Sequence, residues 1–433
     1  VTTKSVKSPL ARRGSNQFYG WWMVVWCTIA FVMTTPGQTI GISTFIDHFI
    51  EDLNTERSVV STAYLIGTLS AALLAPTVGR LIDSNGVRRA MFSVGILLGC
   101  AAMAMGAVRN VVMLTVGFFF IRLLGQGALS LTANTGLAVW FEERRGRAVA
   151  VSMSISQATM AMAPFVFTAL IAAVGWRWGF VTAGLVVVTV IPAMAWFMVV
   201  DRPASLGQVP DGELIGVSDD SSGVVALRGS LTRGEALRTR AFWFLTFFLG
   251  LDSAIYTGIV FHNVSIMEAN GLNEVQAAAV FIPTFVPSLL ATLTVGELTD
   301  RISHRMLILM SGVLMASGFT LVTLVEPGLM TWAYGIVFGL SAGTSRALSG
   351  ALYPRFFGAA HIGTIRGAAF LIGGAASGIG PLVVSLGRDI TGSYDPVMFG
   401  SAVTAIGLAI LASSIRLPDR PLLTAADSYV RPE

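Results

Sequence analysis

The sequence predicts an all-α membrane protein of twelve transmembrane helices arranged as two six-helix, pseudo-symmetric bundles. Three observations carry this. Hydrophobic residues make up 54% of the chain and charged residues only 12%, where a soluble domain carries roughly a quarter charged; the mean hydropathy is +0.73. Such a chain cannot hide its apolar surface from water in one core, so its solvent is lipid. Second, the apolar residues fall into twelve continuous stretches of spanning length. Third, a polar phrase recurs: "VGRLIDSNGVRR" at 78–89 returns as "VGELTDRISHRM" at 295–306, half a chain later.

The twelve spans are expected near 20–46, 58–82, 90–108, 112–139, 147–174, 178–200, 241–268, 274–298, 305–325, 329–352, 363–387 and 395–415. Each is long enough to cross roughly 30 Å of hydrocarbon as a helix. Strands are excluded because runs such as "VTAGLVVVTVIPAMAWFMVV" (181–200) are continuous rather than alternating. Span 1 follows a basic tail (Lys4, Lys7, Arg12, Arg13) and is too long for a cleavable signal; "FYGWW" at its start reads as an interfacial aromatic belt. Pro36 and Gly37 interrupt it and free backbone groups beside Gln38 and Thr39. Span 4 carries Arg122 and span 5 carries Gln157 in "SISQATMAMAP". After span 6, residues 201–240 are rich in Ser, Gly and Asp and read as a solvated linker. Thr232-x-x-Glu235 near its end has capping-box spacing, which fits either a short surface helix or a turn. Span 7 bears Asp252, Tyr256 and His262; span 10 bears Arg346. The glycines of "LIGGAASGIGP" in span 11 are a close-packing surface, not a nucleotide loop, since no strand precedes them.

Orientation follows from the basic residues. With the amino terminus in the cytoplasm, 22 Lys/Arg fall on the cytoplasmic side and four (Arg57, Arg109, Arg177, Arg388) outside. That bias sets both termini in the cytoplasm of a multi-pass cell-membrane protein. The domain division is a tail (1–19), a six-span bundle (20–200), a linker (201–240), a second bundle (241–415) and a tail (416–433).

Ionisable groups inside a span are costly and usually face a cavity or a partner. Arg122, Asp252 and Arg346 lie well inside their spans, and His262 lies further outward. Two guanidiniums on spans 4 and 10, equivalent under the repeat, would form a clamp for a carboxylate or similar anion. Asp252 suits a reversible proton site. Bland readings stand beside these: Arg122 bonding to the backbone of span 1, Arg346 snorkelling towards the cytoplasm, Asp252 serving as a satisfied partner, His262 as a rim residue. Gln38, Thr39, Gln157 and Tyr256 complete the candidate solute contacts, each also explicable as an interhelical hydrogen bond.

The repeated phrase resembles the loop motif G-x-L-A-D-R-x-G-R-R of the major facilitator superfamily. Gly79, Leu81, Asp83, Gly86, Arg88 and Arg89 match in the first copy; Gly296, Leu298, Asp300, Arg301 and Arg305 match in the second, with Ser303 where a glycine is usual. The resemblance implies the major facilitator fold, with the Asp and Arg residues of both copies holding a cytoplasmic gate. "IRLLGQG" around Arg122 resembles the superfamily's common motif of the fourth helix. "YGWW", "WFEERRGRAVA", "TRAFW" and "YPRFFGAAHIGTIRG" look like the bacterial branch related to monocarboxylate and oxalate/formate transporters. Span 8, however, has no charge between Glu274 and Glu297, where monocarboxylate carriers typically place an Asp/Arg pair.

The expected function is therefore proton-linked secondary transport of a small anionic solute by alternating access. A proton-coupled exporter of amphipathic or neutral compounds is the alternative; against it, span 5 has "MAMAP" in place of a glycine-rich motif. A non-transporting sensor would need a signalling domain. No nucleophile–base pair or metal cluster speaks for an enzyme. Cys27 and Cys100 lie in apolar stretches, so neither a disulfide framework nor a metal site is expected. The partners expected are the solute, protons and the bilayer; no cofactor and no nucleic acid are expected, and the chain is expected to act as a monomer.

Overall fold

The computed structural model describes residues 18–142, 144–212, 230–358 and 361–414. The regular structure of these residues is helical. Nine helical stretches among them are long and apolar enough to cross a membrane. One, Arg145–Phe197, is 53 residues long and breaks at Gly175 (φ 78°, ψ 159°), so it holds spans 5 and 6. The broken span 1 and the helix Leu329–Phe357 complete the twelve. Large apolar side chains stand outward on these helices: Leu73, Phe370 and Ile390 are each more than three-quarters exposed. In water that surface would aggregate; in hydrocarbon it costs nothing.

The described residues divide into two compact units, those within 1–216 together with 259–282, and those within 217–258 together with 283–433. Each repeats the same pairings. In the first unit span 3 packs along span 6, and span 2 along span 4. Spans 1 and 5 are joined by Thr28 Oγ1 donating to Ser152 Oγ at 2.9 Å. In the second unit the corresponding pairs are spans 9 and 12, and spans 8 and 10; Ser253 of span 7 donates to the Gly373 carbonyl of span 11 at 3.1 Å. The repeat read from the loop phrase thus extends to which helix packs on which.

Three spans are less regular than their hydropathy implied. Span 1 runs as Gly20–Val32, a 3-10 turn Thr35–Gly37, then Thr39–Ile42, Ser43–Phe45 and Ile46–Asp52. The break at Pro36-Gly37 was legible; its continuation to Asp52 was not. Span 7 is interrupted at His262, between Arg240–Phe261 and Asn263–Ala269. Span 8 divides into Glu274–Ala279, Ile282–Thr284 and Phe285–Arg301 around Pro283. Its start is fixed by a second capping box, Asn273 with Gln276, that the sequence reading passed over.

The linker is only partly as expected. Residues 201–212 are not a free solvated segment but a strap across one end of the first unit. Asp201 Oδ1 accepts the Arg88 amide at 2.8 Å, Gln208 Oε1 accepts the Tyr19 amide at 3.0 Å, and Asp211 accepts the amides of Glu142 and Arg144 at 2.9 and 3.1 Å. Helix starts leave such N–H groups unsatisfied, so carboxylates and amide oxygens close them. Residues 213–229 lie outside the described residues. The capping box at Thr232 and Glu235 forms as its spacing implied and opens a short helix, Arg233–Arg238. The Thr232 amide and hydroxyl, both bonded to Glu235, hold that carboxyl below the usual carboxylate range.

Candidate functional site

Polar side chains collect at mid-span in each unit, and each cluster is built differently. In the first unit the organising feature is the break in span 1. A Cβ at Gly37 would collide with the Ile121 carbonyl of span 4, so glycine lets the two backbones touch. Span 4 answers with a π-helical segment, Arg122–Leu129. Arg122 is 4% exposed; its Nη1 donates to the Gly37 carbonyl at 3.2 Å, and its guanidinium lies 5.1 Å from the centre of the Tyr64 ring. The Tyr64 hydroxyl is 2.7 Å from Thr39 Oγ1. Gln38 Nε2 donates to Thr34 Oγ1 at 3.0 Å. The arginine therefore satisfies a carbonyl that the broken helix leaves open, and a tyrosine face screens its charge.

Tyr64 was not singled out from the sequence, although it sits at the hub. Its ring also packs on Phe118 at 5.5 Å and Phe261 at 4.6 Å. The signal available was a lone hydroxyl-bearing aromatic within an apolar span, one of many. His262 belongs to the same unit. It is 1% exposed, not a rim residue, and its Nε2 lies 3.4 Å from Ser61 Oγ, one turn before Tyr64. Gln157 stands apart from this cluster on an exposed face of span 5.

In the second unit Asp252 of span 7 lies beside Ser345 and Arg346 of span 10. Arg346 is exposed and donates through Nη2 to Ser288 Oγ of span 8. Spans 8 and 10 approach closely there, since a Cβ at Gly343 would collide with the Ser288 carbonyl. Tyr256, one turn from Asp252, stacks on Phe338 with ring centres 4.8 Å apart and planes 7° apart. Ser288 and Ser345 were missed because a serine in a span is ordinarily a packing residue. A carboxylate, a guanidinium and two hydroxyls together can take up a proton and hold an anion.

The loop motif shows two solutions to one junction. In the first copy Gly86 has φ 81°, a left-handed value, and a Cβ there would lie 2.8 Å from Asp201 Oδ1. Arg88 donates to the Trp196 carbonyl at 2.5 Å and lies 5.1 Å from the Trp196 ring centre. In the second copy Ser303 replaces the glycine and caps the next helix itself, accepting from the Met306 amide at 3.4 Å. Arg89, Arg301 and Arg305 are exposed. The side chains of Asp83 and Asp300 lie outside the described residues. Among the described residues, a Cβ at Gly79 would meet only Leu131, at 3.6 Å, and one at Gly296 would meet nothing within 4 Å.

The chain matches the family described as Major Facilitator Superfamily over residues 17–381. It is 25% identical over 407 residues to the Escherichia coli (strain K12) protein named "Uncharacterized MFS-type transporter YhjX", covering 93% of this chain and 96% of that protein. It is 26% identical over 365 residues to the "Probable sulfoacetate transporter SauU" of Cupriavidus necator, covering 80% and 81%. Among solved structures, a bacterial homolog of the human lysosomal transporter Spinster, inward-facing and unoccupied, superposes with a TM-score of 0.68 at 13% identity, over 92% of this chain and 96% of that one. The occupied form of that homolog gives 0.65.

Proposed function

Because the chain belongs to the major facilitator superfamily and is a multi-pass membrane transporter, we propose that it carries a small organic anion together with a proton. The carrying observation is a carboxyl, Asp252, placed near an exposed Arg346 within the spans of one unit. Arg346 offers the anion a planar fork of donors, and Ser288 fixes its direction. Asp252, alternately charged and neutral, frees or occupies that arginine. Arg122, engaged by Gly37, holds span 1 in its broken form. The likeness to a protein named as a sulfoacetate transporter supports an anionic solute, and the basic-residue count supports termini in the cytoplasm and residence in the cell membrane. Alternating access is then movement of 20–200 against 241–415, with the loop motifs at the cytoplasmic gate.

The test is uptake of radiolabelled acetate, oxalate and sulfoacetate into proteoliposomes with and without an imposed pH gradient. Uptake of at least one anion, accelerated by an acidic outside, is expected. If uptake is confined to neutral or amphipathic compounds, the anion reading is wrong. If anion uptake ignores the gradient, proton coupling is wrong.

A further inference from the structure

Span 4 occupies Val111–Trp140, 30 residues, with Gln126 at its midpoint. The other exposed large side chains of this span, Val112, Met113, Val116, Phe120 and Leu131, are apolar and suit lipid. Gln126 is exposed as well, and among the described residues no hydrogen bond occupies its amide. A primary amide facing hydrocarbon forfeits its hydrogen bonds to water and gains none. An amide held outward at this depth belongs against water or a polar ligand.

Arg122 and Gln126 lie in one π-helical segment, Arg122–Leu129, yet Arg122 is buried and Gln126 is exposed. Gly125 makes the close contact with span 1: a Cβ there would lie 3.1 Å from Gly37 Cα. One irregular turn thus buries a guanidinium and presents an amide, and single π turns occur frequently at functional sites.

We propose that Gln126 lines the solute pathway and gives the solute one neutral donor and one neutral acceptor. The inference rests on the transporter reading but not on the solute's charge. It is tested in full-length protein in proteoliposomes, with Cys27→Ala and Cys100→Ala removing the native thiols. Gln126→Cys is exposed to the anionic reagent methanethiosulfonate ethylsulfonate, its cationic trimethylammonium analogue and an apolar maleimide. Phe120→Cys serves as the lipid-facing control. Both charged reagents are expected to modify Gln126→Cys at least tenfold faster than Phe120→Cys. If only the apolar maleimide reacts, the residue faces lipid and the proposal falls. If copper–phenanthroline joins two chains through Gln126→Cys, the amide lies in a contact between copies and the proposal also falls. Equal rates for the two charged reagents, each taken relative to its rate with a simple thiol in solution, would count against the anion reading while leaving Gln126 in the pathway.

Discussion

Tyr64 holds a broken helix in place, and Arg346 is the residue proposed to hold the solute. Tyr64 bonds Thr39 through its hydroxyl and covers Arg122 with its ring. Tyr64→Phe removes only the first. It is expected to lower stability by about 1 kcal/mol, the usual net value of a hydrogen bond. Thr39→Val should cost about the same, and the double variant little more than either single one, because both delete one bond. Thermal unfolding in detergent of the four proteins measures this; fully additive losses would mean the two hydroxyls do not act as a pair. Arg346→Lys keeps the charge and loses the fork. It is expected to raise the KM for the proposed anion about tenfold, the equivalent of ~1.4 kcal/mol, with the fold intact. An unchanged KM would remove Arg346 from the binding site. Neither residue's partners could be read from the chain, since Tyr64–Thr39 and Arg346–Ser288 are brought together by packing across 25 and 58 positions.

Between one helix and the next, the two copies of the loop phrase reach the same turn by different chemistry. Gly86 enters span 3 at a positive φ and has its neighbour's amide capped by Asp201; Ser303 enters span 9 in extended conformation and caps for itself. Gly86→Ala therefore adds both a strained φ and contact with Asp201. Ser303→Ala loses only a cap, about 1 kcal/mol. Thermal unfolding should show Gly86→Ala to be the more damaging, and the reverse order would contradict this account of the turn. Gly79 and Gly296 pose the opposite case, because a methyl group fits at both. Gly79→Ala and Gly296→Ala are expected to unfold at the wild-type temperature. Slowed uptake in either would then report crowding in another state of the transport cycle, and wild-type uptake in both would leave these glycines without a gating role. The motif itself was legible, because a repeated phrase needs no packing to be seen. The dependence of Gly86 on Asp201 was not, because it joins positions 113 apart through Arg88.

At the scale of the molecule, the twelve spans were legible because each sums some twenty residues, and no single side chain decides the total. The breaks at His262 and near Pro283 were not, since two or three residues in a polar or Pro-containing turn barely change such a sum. The same contrast governs the site. Rare charges in apolar spans marked Asp252, Arg122 and Arg346 as candidates, while only packing distinguishes a buried Arg122 from an exposed Arg346. That difference fixes the expected energetics of coupling. Arg346 with ionised Asp252 sums to zero charge; protonation of Asp252 raises the sum to +1; a monoanion returns it to zero. Binding of proton and anion together then avoids leaving an unbalanced charge within the membrane, so each favours the other, and that reciprocity is the thermodynamic content of symport. One proton with one monoanion carries no net charge. Protein-dependent uptake of a transported monoanion is therefore expected to follow the pH gradient and to ignore a potassium diffusion potential set with valinomycin. In Asp252→Asn the proton step is absent, so protein-dependent net uptake should lose its pH dependence while exchange of preloaded for external anion continues. A wild-type pH profile in Asp252→Asn would eliminate this carboxylate as the coupling group. Protein-dependent uptake driven by an inside-negative potential alone would require more than one proton for each monoanion, and uptake driven by an inside-positive potential fewer than one.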